Sequence, residues 1–167
     1  KGDVWVVEGL NTLNIGLFGP RVSDKAKGGI ERGQERRHEE TRAGANNPEA
    51  RLVDQRLDHV DAEVIYPGLC LTLFGIPDAE YQRECIRVYN DWLAEFCSSE
   101  PKNLLGVGML PLRGPVEWAI QEAERCAKMG LRGLMIPAVK RNPSYHEAIY
   151  DSLWRALQEI DLPVGVH

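Results

Sequence analysis

Residues 104–138, LLGVGMLPLRGPVEWAIQEAERCAKMGLRGLMIPA, decide the fold. The two ends, LLGVGMLP (104–111) and LRGLMIPA (131–138), are apolar runs with little alternation, the pattern of strands in a parallel sheet covered on both faces. Between them, Gly114 and Pro115 stand where an N-cap and a first helical residue are expected. Ala119, Ile120, Ala123, Cys126 and Ala127 recur along one side of a helix, and Gly130 is placed to end it. Strand, helix and strand in that order imply a crossover and a parallel pairing.

The same alternation extends in both directions. VDAEVIYP (60–67) and LPVGVH (162–167) read as two more strands, the first more exposed because Asp61 and Glu63 interrupt it. In DAEYQRECIRVYNDWLAEF (78–96), Tyr81, Cys85, Val88, Tyr89, Trp92, Leu93 and Phe96 predict one broad apolar helical face. Ser144 and Glu147 have capping-box spacing ahead of Ile149, Leu153, Ala156, Leu157 and Ile160, and Asn47 with Pro48 opens a further helix that feeds the strand at residue 60. Four strands alternating with helices leave two α/β architectures, a partial TIM-like (β/α) barrel and a doubly wound open sheet. A dinucleotide-binding sheet needs its glycines in a turn after a strand, whereas Gly106 and Gly108 lie inside a strand run, which favours the barrel.

Residues 46–167 are accordingly assigned to the partial barrel and residues 1–45 to an N-terminal segment. In that segment VWVVEG reads as a short strand or hairpin arm. RVSDKAKGGIERGQERRHEETRAGA (21–45) has no apolar period and reads as a solvated, disordered loop or as a lid over a site.

A net charge of −5 provides no basic field for a phosphate backbone, so nucleic acid is not an expected partner. There is no apolar run of eighteen residues and no secretory leader pattern at the start, so no membrane partner is expected and a cytosolic (cytoplasmic) location is the default. Cys70, Cys85, Cys97 and Cys126 form neither a CxxC pair nor a zinc-ligand spacing and read as reduced apolar fillers.

In a parallel barrel the chemistry sits at the C-terminal ends of the strands. The residues there are Tyr66 and Pro67, Leu110 and Pro111, Ile136 and Pro137, and His167. A neutral imidazole on a rigid strand end can give a nitrogen lone pair to a divalent ion, which makes His167 the candidate metal ligand against a hydrogen-bonded structural role. Tyr66 is the candidate for lining a substrate pocket, against packing on a helix. His38 falls in the charged loop, His146 in the first turn of a predicted helix and His59 at a helix-to-strand turn, so all three read as solvent or turn residues. There is no HExxH, GxSxG, phosphate-binding loop or CxxC.

The strings DHVDAEVIYP (58–67), YNDWLAEFC (89–97), residues 101–137 and YDSLWRALQEIDLPVGVH (150–167), in this order, resemble the amidohydrolase-related family of aminocarboxymuconate-semialdehyde decarboxylase-like enzymes. GDVWVVEG near the start also looks like this family. The resemblance implies a distorted TIM-like barrel with one divalent metal, usually zinc and sometimes manganese. It implies a hydrolase or decarboxylase acting on a small organic acid, with an HxH pair on the first strand, a histidine ending the fifth and an aspartate ending the last. Only the fifth-strand histidine maps onto this chain, as His167.

No HxH occurs, nothing follows His167, and glycine usually stands where this chain has His59. These departures present the chain as an interior piece carrying the second to fifth strands, without its catalytic proton-transfer residues. A homo-oligomer is compatible with this reading. The competing reading is a half-barrel that has lost catalysis and serves as an interaction or assembly module, because open strand edges seek partners.

Overall fold

A computed structural model of the chain describes residues 3–11, 13–14, 37–138 and 143–167. Two compact units divide it, residues 1–61 and 62–167. In the first, β1 (Val4–Trp5) pairs antiparallel with β2 (Leu13–Asn14), the expected hairpin arm. Helix α1 (Pro48–Leu57) starts as anticipated, with Pro48 in its first turn and the Asn47 Oδ1 accepting the Ala50 N–H at 2.8 Å. Most of the charged loop, residues 21–36, lies outside the described residues; residues 38–40 and 43–45 form short 3₁₀ turns.

The second unit contains β3 (Glu63–Ile65), α2 (Ala79–Ser98), β4 (Leu104–Met109), α3 (Val116–Lys128), β5 (Gly133–Ile136), α4 (Asp151–Ile160) and β6 (Val164–Val166). The four strands form one parallel sheet in the order β3-β4-β5-β6. A doubly wound sheet would reverse its order at a switch point; among the described strands the order is sequential, as in a (β/α) barrel. The register is also staggered. β4 uses Leu104–Gly106 against β3 and Val107–Met109 against β5, the sliding offset by which a sheet tilts its strands toward closure. The chain is thus a partial TIM-like barrel.

Period two assigns the faces of β4. A Cβ on Gly106 would come within 2.8 Å of Leu131 and 3.0 Å of Leu93, and one on Gly108 within 2.9 Å of Cys126 and Leu131. This face therefore meets the helices, and the glycines let them approach closely. Val107 and Met109 take the opposite face with their register partners Gly133 and Met135. Met109, Leu110, Leu134, Ala119, Ala123 and Leu153 are fully enclosed.

Three local expectations shift. Pro115 is the N-cap of α3, with ψ 143°, and Val116 its first residue, one position later than the sequence suggests. Gly130 follows the C-cap in the left-handed region, φ 87°, as its position promised. The 144–147 capping pair forms, with the Ser144 N–H donating to Glu147 Oε1 at 2.6 Å, yet it closes a turn, and α4 begins only at Asp151 after a 3₁₀ turn at Ala148–Tyr150. His146 is consequently in that turn and exposed rather than in a helix. On α2 the buried stripe is Gln82, Ile86, Tyr89, Asn90, Leu93, Phe96 and Cys97, whereas Tyr81, Val88 and Trp92 are exposed. The helix is rotated by about one residue, roughly 100°, from the face the apolar residues alone suggest.

Candidate functional site

Each wall of the site comes from a segment at the C-terminal end of a strand. β6 is assigned to Val166, but the ladder continues for another residue: the His167 N–H donates to Ile136 C=O at 3.1 Å and the Ala138 N–H donates to His167 C=O at 2.7 Å. The direction of His167 is therefore set by strand pairing. It shares the face of Gly165, whose missing Cβ would lie 3.9 Å from the Met135 side chain. That face turns away from the helices, toward the inside of the barrel.

A cavity of about 630 Å³ opens at these strand ends. Its walls come from the segment after β3 (Leu71, Phe74), the loop after β4 (Leu112 to Val116), Pro137 after β5, and His167 after β6, with Ile149 and Tyr150 closing one side. A cleft of this size, lined by both apolar and polar surface at the C-terminal ends of parallel strands, is where a small-molecule site is expected. Tyr66, at the end of β3, is 58% exposed and is not part of the lining. The structure thus brings His167 to the cavity and does not bring Tyr66 there. His38 and His59 are exposed and do not line it either.

Two buried amides on α2, absent from the sequence-based picture, hold the walls in place. Gln82, fully buried, aims its Nε2 at the carbonyls of Leu73 (3.2 Å), Phe74 (3.0 Å) and Ile76 (3.4 Å), gripping the 3₁₀ segment Gly68–Gly75 that lines the cavity. Asn90 addresses a different need. β3 stops pairing at Gly106, so the backbone of Met109 has no strand neighbour on that edge. The Asn90 Oδ1 accepts the Met109 N–H at 2.8 Å and its Nδ2 donates to the Met109 C=O at 2.9 Å, replacing the missing strand. The same Nδ2 donates to Glu122 Oε1 at 2.6 Å, and Glu122 is held by Arg125, which also pairs with Asp91. In this chain the YNDW string is a structural clamp linking α2, α3 and the end of β4. The signal that could have revealed it is the second period-3.6 series on α2, in which glutamine and asparagine occupy core positions.

An imidazole at a strand end, facing a cleft, suits one ligand position of a divalent metal. Among the described residues no three histidine, cysteine, aspartate or glutamate side chains gather to complete such a site. His167 therefore fits as a single donor, and the remaining donors are not supplied by the described residues.

Comparison with known proteins identifies the family. The Amidohydrolase family model matches residues 24–167. Over 123 residues the chain is 24% identical to a 2-amino-3-carboxymuconate-6-semialdehyde decarboxylase from Dictyostelium discoideum, covering 72% of this chain and 33% of that protein. Among solved structures, 2,6-dihydroxybenzoate decarboxylase from Rhizobium aligns with a TM-score of 0.59 at 25% identity, over 70% of this chain and 38% of that one. A dihydroxybenzoic acid decarboxylase from Polaromonas sp. JS666, solved with manganese and the inhibitor 2-nitroresorcinol, aligns with a TM-score of 0.59 at 28% identity, over 70% and 37%. The chain spans only 33% of the curated relative's length. The sequential staggered strands, the cavity at their C-terminal ends and the match over residues 24–167 agree: the chain belongs to the amidohydrolase family.

Proposed function

We propose that the protein to which this chain belongs is a metal-dependent decarboxylase of a small organic acid, with His167 as one ligand of its divalent ion, manganese or zinc. The observation that carries the reading is the position of His167, locked by two backbone hydrogen bonds at a strand end and lining the cavity. A metal held there would supply Lewis-acid binding and polarisation of a carboxylated substrate. Decarboxylation is preferred over hydrolysis because the Dictyostelium relative and both aligned structures named above are decarboxylases.

This chain's own residues define the remainder of the role. The rigid ladder presents the imidazole without a loop's freedom, and Leu71, Phe74, Pro137 and Ile149 contribute apolar surface to the cleft. Four free cysteines suit a reducing, cytosolic compartment. The test is His167→Ala in the full-length protein, measuring bound metal by elemental analysis and carbon dioxide release from 2,6-dihydroxybenzoate and related acids. Loss of most metal and of turnover is expected. A variant that keeps both its metal and its turnover would refute the ligand assignment.

A further inference from the structure

The proposed reaction gives no role to Arg113, a charged residue of the cavity lining. Arg113 lies in the loop between β4 and α3 and lines the same cleft as His167. Its side chain makes no hydrogen bond or ion pair with any described residue, as is also true of the exposed Arg56, Arg132 and Arg155, but among these only Arg113 lines the cavity. Among the described residues the cavity lining includes no aspartate or glutamate, although the chain as a whole carries five more acidic than basic residues. A guanidinium with no described partner, lining a cleft with no described acid, is arranged to receive an anion from solution.

We infer that Arg113 is the residue that binds the substrate's carboxylate and selects acids over their uncharged analogues. This rests on the proposed decarboxylase reading, since it places a carboxylated ligand in the cavity that His167 lines. The loop geometry favours the role. Leu112 is buried and anchors one side, and on the other Gly114 sits against Trp118, whose ring would lie 2.4 Å from a Cβ at that position. The backbone on both sides of Arg113 is therefore fixed, while its side chain remains exposed and free to fork onto two carboxylate oxygens. A planar guanidinium matches that geometry with two parallel N–H bonds, which a lysine ammonium cannot reproduce.

The experiment uses the full-length protein and two probes of nearly equal shape, 2,6-dihydroxybenzoate and 2,6-dihydroxybenzamide, titrated calorimetrically into the metal-loaded wild type, Arg113→Gln and Arg113→Lys. The wild type should prefer the acid. Arg113→Gln should weaken acid binding by about 10-fold or more, leave the amide within about 2-fold and retain full metal, with Arg113→Lys in between. If the wild type prefers the acid and Arg113→Gln keeps the same preference, the role of Arg113 is overturned while the decarboxylase reading stands. If the wild type shows no preference for the acid, both fall. If Arg113→Gln abolishes the preference while His167→Ala retains metal and turnover, the anion site stands and the metal-ligand reading fails.

Discussion

Replacing Asn90 with leucine, which has nearly the same branched shape, removes hydrogen bonding while disturbing packing little. Three contacts disappear, those to the Met109 N–H, the Met109 C=O and Glu122. Glu122 keeps Arg125, so its loss is only that of one ordinary bond, about 1 kcal/mol. The Met109 groups have no substitute: Met109 is fully buried and β3 does not reach this far, so each is left without a partner at about 1–3 kcal/mol. The expected loss is about 3–7 kcal/mol, a large share of the roughly 5–15 kcal/mol by which domains are stable. Urea unfolding of the full-length protein, followed by tryptophan fluorescence, measures it, and hydrogen exchange at the Met109 amide should rise in parallel. A loss below about 1 kcal/mol with an unchanged denaturant slope would show that water reaches this edge of β4 and that the amide does not stand in for a strand. Asn90→Asp sharpens the test. When ionised it keeps an acceptor for the Met109 N–H, loses both donations and places a second carboxylate beside Glu122; when protonated it regains one donor. Burial and that neighbour should raise the new carboxyl's pKa in the folded state, so stability is retained at low pH and lost as pH rises through the folded value.

Other outcomes concern single positions. His59 is exposed with φ 56°, so His59→Gly should stabilise by about 0.5–1 kcal/mol while His59→Ala changes little; a destabilised glycine variant in thermal melts would contradict the left-handed assignment. Gly108→Ala would place a methyl 2.9 Å from Cys126 and Leu131 and should cost about 1–3 kcal/mol, partly recovered by adding Cys126→Ala; absence of any recovery in urea midpoints would locate the strain elsewhere. Burial pushes the Cys70 and Cys97 thiols up to about 11 from an ordinary value near 9. The folded state holds these protons more tightly than the unfolded chain, so the two thiols' contribution to stability is constant below pH 9 and is lost as pH rises toward 11, which urea midpoints across that window would show.

The architecture was readable because its main signal is redundant. Residues 104–138 carry strand, helix and strand in apolar runs of the right length, and the flanking runs repeat the unit. The helix faces were less readable for a definite reason. On α2 the apolar series through Tyr81, Val88 and Trp92 competes with one through Ile86 and Leu93 that also includes Gln82 and Asn90. Hydrophobicity alone selects the first, while the second is buried with its two amides donating to the carbonyls of Phe74 and Met109 and accepting the Met109 N–H at a strand edge.

The same limit separates His167 from Arg113. A histidine that ends an apolar strand stands out in sequence because strand ends mark the mouth of a barrel. Arg113 is three residues beyond Leu110, in a loop where an arginine ordinarily means only solvent, and its distinction is relational: no described acid pairs with it, and the cleft it shares with His167 has no described acid in its lining. Neither property belongs to the residue type or its spacing. Both arise when β4 and β6 bring their succeeding segments to one cavity, so the metal-ligand candidate could be read from the chain but its anion-binding counterpart emerged only from the fold.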